Sequence, residues 1–375
     1  MSTSTKPPST REPSQSRSMS STAPRRSSTR RGLLYVTAAL AGLLLLGLVG
    51  LALTGALSDT LRTLRGAPSV TGLALIPEAR GAAAYNLANG VQNVLIPAPP
   101  DGWVGAVDAT RDGRRIVAQV YEPPQEGSIG ISSLVVAEGS GGSGTARVLA
   151  KPDKDEFFAE PRWSPDGASV FFTRRLTRKP NPGEPKQRIE RLDVTSGKRT
   201  VVVDNASAPD PTPDGQTLVF LRDDGQRLAL SSAPILANGA AGPVRDLVPS
   251  QAFEGMVSPI VSPDGHQIVV GFVDSTPSAA AADPLAALGN WLVPSALAHG
   301  VPWDLYVLPV DGSSPPKRLT NFRQDSPFPA WSPDGRWLLA RAEYNEFLVD
   351  AQSGETWTLN QNGGYGGIAW VPAPG

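Results

Sequence analysis

Pro161-Arg162-Trp163-Ser164-Pro165-Asp166-Gly167-Ala168-Ser169-Val170-Phe171-Phe172 is the stretch whose reading decides the fold. An Asp-Gly pair between two apolar runs is a hairpin signal, because Gly adopts positive φ with no Cβ to clash. The Pro before it presets φ and helps start the turn. The run after it is apolar and aromatic, as a buried strand is.

The stretch recurs. Pro329-Ala330-Trp331-Ser332-Pro333-Asp334-Gly335 is a second copy, Pro259-Ile260-Val261-Ser262-Pro263-Asp264-Gly265 a third, and Pro209-Asp210-Pro211-Thr212-Pro213-Asp214-Gly215 a fourth. Ala109-Thr110-Arg111-Asp112-Gly113 is a degenerate fifth. The turn aspartates fall at 112, 166, 214, 264 and 334, with spacings of 54, 48, 50 and 70. The last spacing comes into line once an Ala/Pro-rich segment near 275–299 is set aside. A second hairpin follows in most units, as in Arg188–Val194, turn Thr195-Ser196-Gly197, then Thr200–Val203. Two hairpins make a four-stranded blade, and radial repetition of blades makes a propeller. Five units end near residue 360. Ile368-Ala369-Trp370-Val371-Pro372 then reads as a lone first strand, while the segments at 72–76, 83–87 and 91–96 read as three strands lacking a first. Together they complete a sixth blade, which removes the open sheet edges.

These Trp-Ser-Pro-Asp-Gly copies resemble the WD40-like repeats of TolB-type β-propellers, over about residues 68–373. The resemblance implies six blades and, by analogy with the family's best-known member, binding of partner proteins in the cell envelope. That member carries a separate α/β domain, for which this chain shows no counterpart.

The chain has 375 residues, with 34 Lys+Arg against 35 Asp+Glu. The near-zero net charge hides an asymmetry. Residues 1–32 carry net +6 and residues 66–375 carry net −8. The first segment is rich in Ser, Thr and Arg, cannot bury enough apolar surface to order itself, and is expected to be a disordered cytoplasmic tail. From Gly32 to Ser58 no residue is charged and the centre is apolar. That run predicts a transmembrane signal anchor over 33–57, with Arg30 and Arg31 on the cytoplasmic side. A cleaved signal peptide ending near Thr54-Gly55-Ala56 is the alternative. In either case a linker (58–67) leads to an exported propeller over 68–375, and the anchored form is a single-pass cell-membrane protein. The expected fold class is therefore all-β: a six-bladed propeller behind a disordered tail and one transmembrane helix.

The absence of Cys excludes disulfides, thiolate metal sites and cysteine nucleophiles, and two His leave little for zinc or a histidine relay. No Gly-x-Ser-x-Gly elbow is present and no carboxylate pair stands out. No catalysis, no cofactor, no metal and no nucleic-acid partner are expected. The repeated aspartates read as turn residues, and Trp163, Trp331 and Trp370 as packing between blades, with a sugar-stacking platform as the alternative. His266 and His299 read as surface residues.

Two segments interrupt the repeat, both between the second and third strands of a blade, so both should project from one face. The first carries Arg174, Arg175, Arg178, Lys179, Lys186 and Arg188 with Glu184 as its single acid, and reads as a solvated flap or as a loop for an anionic ligand or envelope protein. The second, 274–302, contains Leu285, Leu288, Trp291 and Leu292 and reads as a channel plug or an exposed interaction patch. The expected function is a membrane-anchored, exported scaffold for a protein or other ligand. An envelope hydrolase using the channel and a transmembrane ligand sensor are the alternatives.

Overall fold

The computed structural model describes residues 66–124, 130–138, 145–273 and 303–373. These residues form strands, turns and bridges, with no helix. In chain order the strands are β1 (Leu73–Glu78), β2 (Gly81–Asn86), β3 (Gln92–Pro97), β4 (Trp103–Ala109), β5 (Arg115–Glu122), β6 (Ile131–Glu138), β7 (Arg147–Ala150), β8 (Glu156–Trp163), β9 (Ser169–Leu176), β10 (Gln187–Asp193), β11 (Arg199–Asp204) and β12 (Ala206–Pro211). They continue as β13 (Thr217–Asp223), β14 (Leu228–Pro234), β15 (Arg245–Val248), β16 (Met256–Val261), β17 (Gln267–Val273), β18 (Trp303–Pro309), β19 (Lys317–Arg318), β20 (Phe328–Trp331), β21 (Trp337–Arg341), β22 (Glu346–Asp350), β23 (Thr356–Asn360) and β24 (Ala369–Val371).

They build six four-stranded antiparallel sheets: β4–β7, β8–β11, β12–β15, β16–β19, β20–β23, and β24 with β1–β3. The sixth blade closes as its sequence predicts. β24 pairs with β1 in the register Leu73–Val371, Ala74–Trp370 and Leu75–Ala369. The first strands β4, β8, β12, β16, β20 and β24 neighbour one another in a closed ring around the axis.

The core is distributed between blades. One buried cluster joins Val117, Leu134 and Val136 to Phe158, Trp163 and Phe172 of the next blade. Similar clusters fill the other interfaces and take in Trp331 and Trp370. Burying apolar area at about 25 cal/mol per Å² makes these interfaces the main stabilising term.

The turn motif explains its own composition. The hydroxyls of Thr110, Ser164, Thr212, Ser262 and Ser332 each donate to the aspartate two residues on, at 2.5–2.6 Å. Each also accepts the backbone N–H five residues on, at 2.9–3.1 Å. The aspartate accepts a further backbone N–H, for example from Ala168 at 2.9 Å. Gly167 follows at φ +65°, in the left-handed region. The turn aspartates are thus occupied by local bonds, and those bonds hold their carboxyls below the usual range.

No helix among the described residues is long and apolar enough to cross a membrane. The tail 1–32, the anchor 33–57 and the segment 274–302, with Leu285, Leu288, Trp291, Leu292 and His299, lie outside the described residues. The structure therefore lends the expected anchor no support.

Candidate functional site

The first strands reach the axis at the end that carries the Asp-Gly turns. There they enclose a mouth of about 410 Å³. Four residues before each turn aspartate, the repeat places one side chain on the wall. Those residues are Asp108, Arg162, Asp210, Ile260 and Ala330, with Ala369 as the equivalent on β24. Three consecutive blades contribute charge and the next three contribute apolar groups. Trp331 and Trp370 add indole surface to the apolar half.

The charged half is a row across three blades. Arg162 Nη1 lies 3.6 Å from Asp108 Oδ1 and its Nε 3.4 Å from Asp210 Oδ1. Asp108 Oδ2 accepts the Trp163 N–H at 2.7 Å, and Asp210 Oδ2 accepts the Val261 N–H at 2.6 Å. Each carboxylate thus clamps its own blade to the next. Burial pushes both carboxyls up against the pull of Arg162, Asp210 to about 7. The Trp163 indole, beneath the Arg115 guanidinium at 4.8 Å, holds a buried N–H without an acceptor.

Below the mouth the channel narrows to a neck of about 30 Å³, and Arg162 borders both spaces. The neck follows from bulges in β8, β12 and β16, where pairing slips by a residue. At the bulges Glu160, Ala208 and Ser258 sit at φ +54°, +51° and +49°, each followed by a Pro. A Pro is tolerated there because a bulged residue has no ladder bond to donate.

The first segment singled out by sequence lies elsewhere. Residues 177–186 connect β9 to β10, the second and third strands of their blade, so they project from the opposite end of the channel. The arginines of this segment, read from sequence as a solvated flap or a loop for an anionic ligand or partner, are each paired with a carboxylate. Arg174 meets Glu156 at 2.7 Å, Arg175 meets Glu160 at 2.8 Å, Arg178 meets Glu184 at 2.8 Å and Arg188 meets Glu190 at 2.6 Å. Arg199 extends the network to Glu190 and Glu156 at 2.7 and 3.0 Å. Arg174 and Arg188 belong to strands, and strand pairing brings them carboxylates from outside the segment. Lys179 and Lys186 are exposed and enter no ion pair among the described residues. The turn containing exposed His266 lies at the mouth end of the molecule.

Reading the sequence motif by motif misses Asp108, Arg162 and Asp210. Aligning the repeats on the turn aspartate reveals them, because one column then reads Asp, Arg, Asp, Ile, Ala. Among the described residues no group of three or more His, Asp or Glu is placed to hold a metal.

No family model and no curated protein matches the sequence. Solved structures do match. TolB from Acinetobacter baumannii aligns over 80% of this chain with a TM-score of 0.55 and 17% identity, and the match spans 66% of that chain, just under two thirds of its length. A putative TolB from Agrobacterium tumefaciens aligns over 80% of this chain and 98% of its own, with a TM-score of 0.52 and 16% identity. A chain of the nidogen/laminin complex aligns over 81% and 99%, with a TM-score of 0.55 and 11% identity. The fold is therefore that of a TolB-like six-bladed β-propeller.

The expectation that the chain is no enzyme does not stand, because a propeller fold by itself does not decide catalysis. The missing nucleophile motif does not exclude catalysis.

Proposed function

We propose that this chain is an exported, TolB-like binding module, tethered by residues 33–57, that engages a partner protein at the mouth of its channel. One observation carries the reading: the mouth is a concave wall, charged on one half and apolar on the other, with Oδ1 of Asp210 short of a close donor. Ligand sites combine apolar lining with a few convergent polar groups in this way. The neighbouring structure of a nidogen/laminin complex is a propeller in a protein–protein assembly. The Arg174–Arg188 segment is the weaker candidate for an anionic partner, because its arginines are already paired.

A hydrolytic reading is favoured by one feature, the carboxyl of Asp210 near 7 in the same cavity as Asp108, which is the range of a general acid.

The test is photocrosslinking in the full chain, with the reactive residue at Arg111 on the exposed rim of the mouth or at Lys179 on the opposite end. Capture of a partner from Arg111 and not from Lys179 supports the mouth. Capture from Lys179 alone overturns it.

A further inference from the structure

Resting on the mouth reading, we infer that the mouth is built to take a basic side chain, a guanidinium or ammonium group, presented by a partner polypeptide.

Two carboxylates, Asp108 and Asp210, share one cation, Arg162. Their side chains are only 17% and 15% exposed. One oxygen of each takes a close backbone N–H, at 2.7 and 2.6 Å. Asp108 takes further hydrogen bonds from the Ala109 N–H and from Arg162, whereas Oδ1 of Asp210 has Arg162 Nε only at 3.4 Å, beyond the ~2.7–3.2 Å of an N–H···O bond. With both carboxyls ionised the cluster carries an excess negative charge in a partly desolvated place, and Asp210 keeps one acceptor without a close donor. Buried charge without a partner is costly. Burial raising both carboxyls is the same imbalance seen through protonation.

A second cation would bring the cluster to two charges of each sign. Arg111, the remaining ionisable residue of the mouth, does not supply it. It is exposed and makes no ion pair among the described residues. No other titratable side chain faces Asp210: β8 presents Arg162, β4 presents Asp108, and β16 presents the Val261 N–H.

The opposite wall suits the rest of the guest. Ile260, Ala330 and Ala369, with the 7% of Trp331 and of Trp370 left uncovered, line an apolar wall for the methylene stem of a Lys or Arg. Arg162 borders both the mouth and the smaller space of about 30 Å³ below it, so a charged head seated in the mouth comes level with Arg162. A Lys or Arg side chain of a polypeptide brings such a stem along with its charge, which a bare ammonium ion does not.

The test titrates the full chain with acetyl-Ala-Arg-Ala-amide, its citrulline isostere and the Glu peptide, reading tryptophan fluorescence and the indole N–H resonances. The Arg peptide is expected to bind at least tenfold tighter than the citrulline peptide. The Asp108→Asn/Asp210→Asn variant, checked for an unchanged melting profile, should erase that preference. In the unmodified protein, affinity for the Arg peptide should rise several-fold from pH 6 to pH 8 as Asp210 ionises. That arm stands even if the variant fails to fold. Equal affinity for the citrulline peptide, or no pH dependence, overturns the inference. Equal binding of free argininamide overturns the polypeptide source. If Arg111 still crosslinks a partner but the double Asn substitution leaves capture unchanged, the cation claim falls and the mouth reading survives. If Arg111 captures nothing, the mouth reading itself falls.

Discussion

Arg162 on β8 places its Nε 3.4 Å from Asp210 Oδ1 on β12, while its Nη1 lies 3.6 Å from Asp108 Oδ1 on β4. One guanidinium therefore spans three blades. Replacing it with Met leaves two buried carboxylates with no cation. Removing one partner of a buried ion cluster typically costs about 3–5 kcal/mol. The loss should be near that size at pH 8 and clearly smaller at pH 5, where the raised carboxyls take up protons. Urea unfolding of Arg162→Met at the two pH values measures it, and an equal loss at both would contradict the arrangement.

Asp210→Asn should behave in the opposite sense. The folded carboxyl titrates at about 7 against an ordinary 3.8. Between those values the folded chain holds a proton that the unfolded chain does not, so the wild-type residue favours folding at low pH. That contribution is lost as pH rises towards 7. Asn removes the dependence and leaves Arg162 paired one-to-one with Asp108. The melting temperature of the variant relative to the wild type should climb from pH 5 to pH 8. A flat difference would show that Asp210 is not the titrating group.

The basic segment divides into two kinds of residue. Glu190, with a side chain 2% exposed, is held between Arg188 and Arg199. Glu190→Ala leaves both guanidinia short of a partner and should cost about 3–5 kcal/mol. Lys179→Ala and Lys186→Ala touch no ion pair and should stay within about 0.5 kcal/mol. Chemical denaturation of the three variants separates them.

Closure of the ring depends on three residues of β24. Beyond its pairing with β1, Trp370 donates its indole N–H to the Thr71 carbonyl at 3.0 Å. Removing residues 369–375 exposes the edge of β1, and an exposed edge pairs with other chains. Size-exclusion chromatography should show oligomers or aggregate where the full chain does not, and a monodisperse truncated chain would count against the closure.

Much of the fold was legible because the repeat is a local code. A Thr or Ser, then Asp two residues on, then Gly is a turn whose hydrogen bonds all lie within six residues, so the sequence contains every partner. The strand that closes the ring was legible for the same reason, since Trp370 matches Trp331 in a known unit. The pairing of the Arg174–Arg188 segment was not legible because Glu156, Glu160 and Glu190 lie outside it and arrive only through strand pairing. Asp108, Arg162 and Asp210 were passed over because each sits 48 to 54 residues from its partner in sequence.

The sequence by itself determined the blade: four strands, the turn that joins the first two, and the number of times they repeat. Local hydrogen bonding and apolar periodicity suffice for that. Only the tertiary structure decided what faces the axis. Closing six blades into a ring brings one column of the repeat to a single wall, where burial makes three ordinary charged residues interdependent. That coupling depends on distances across blades, which no single blade contains.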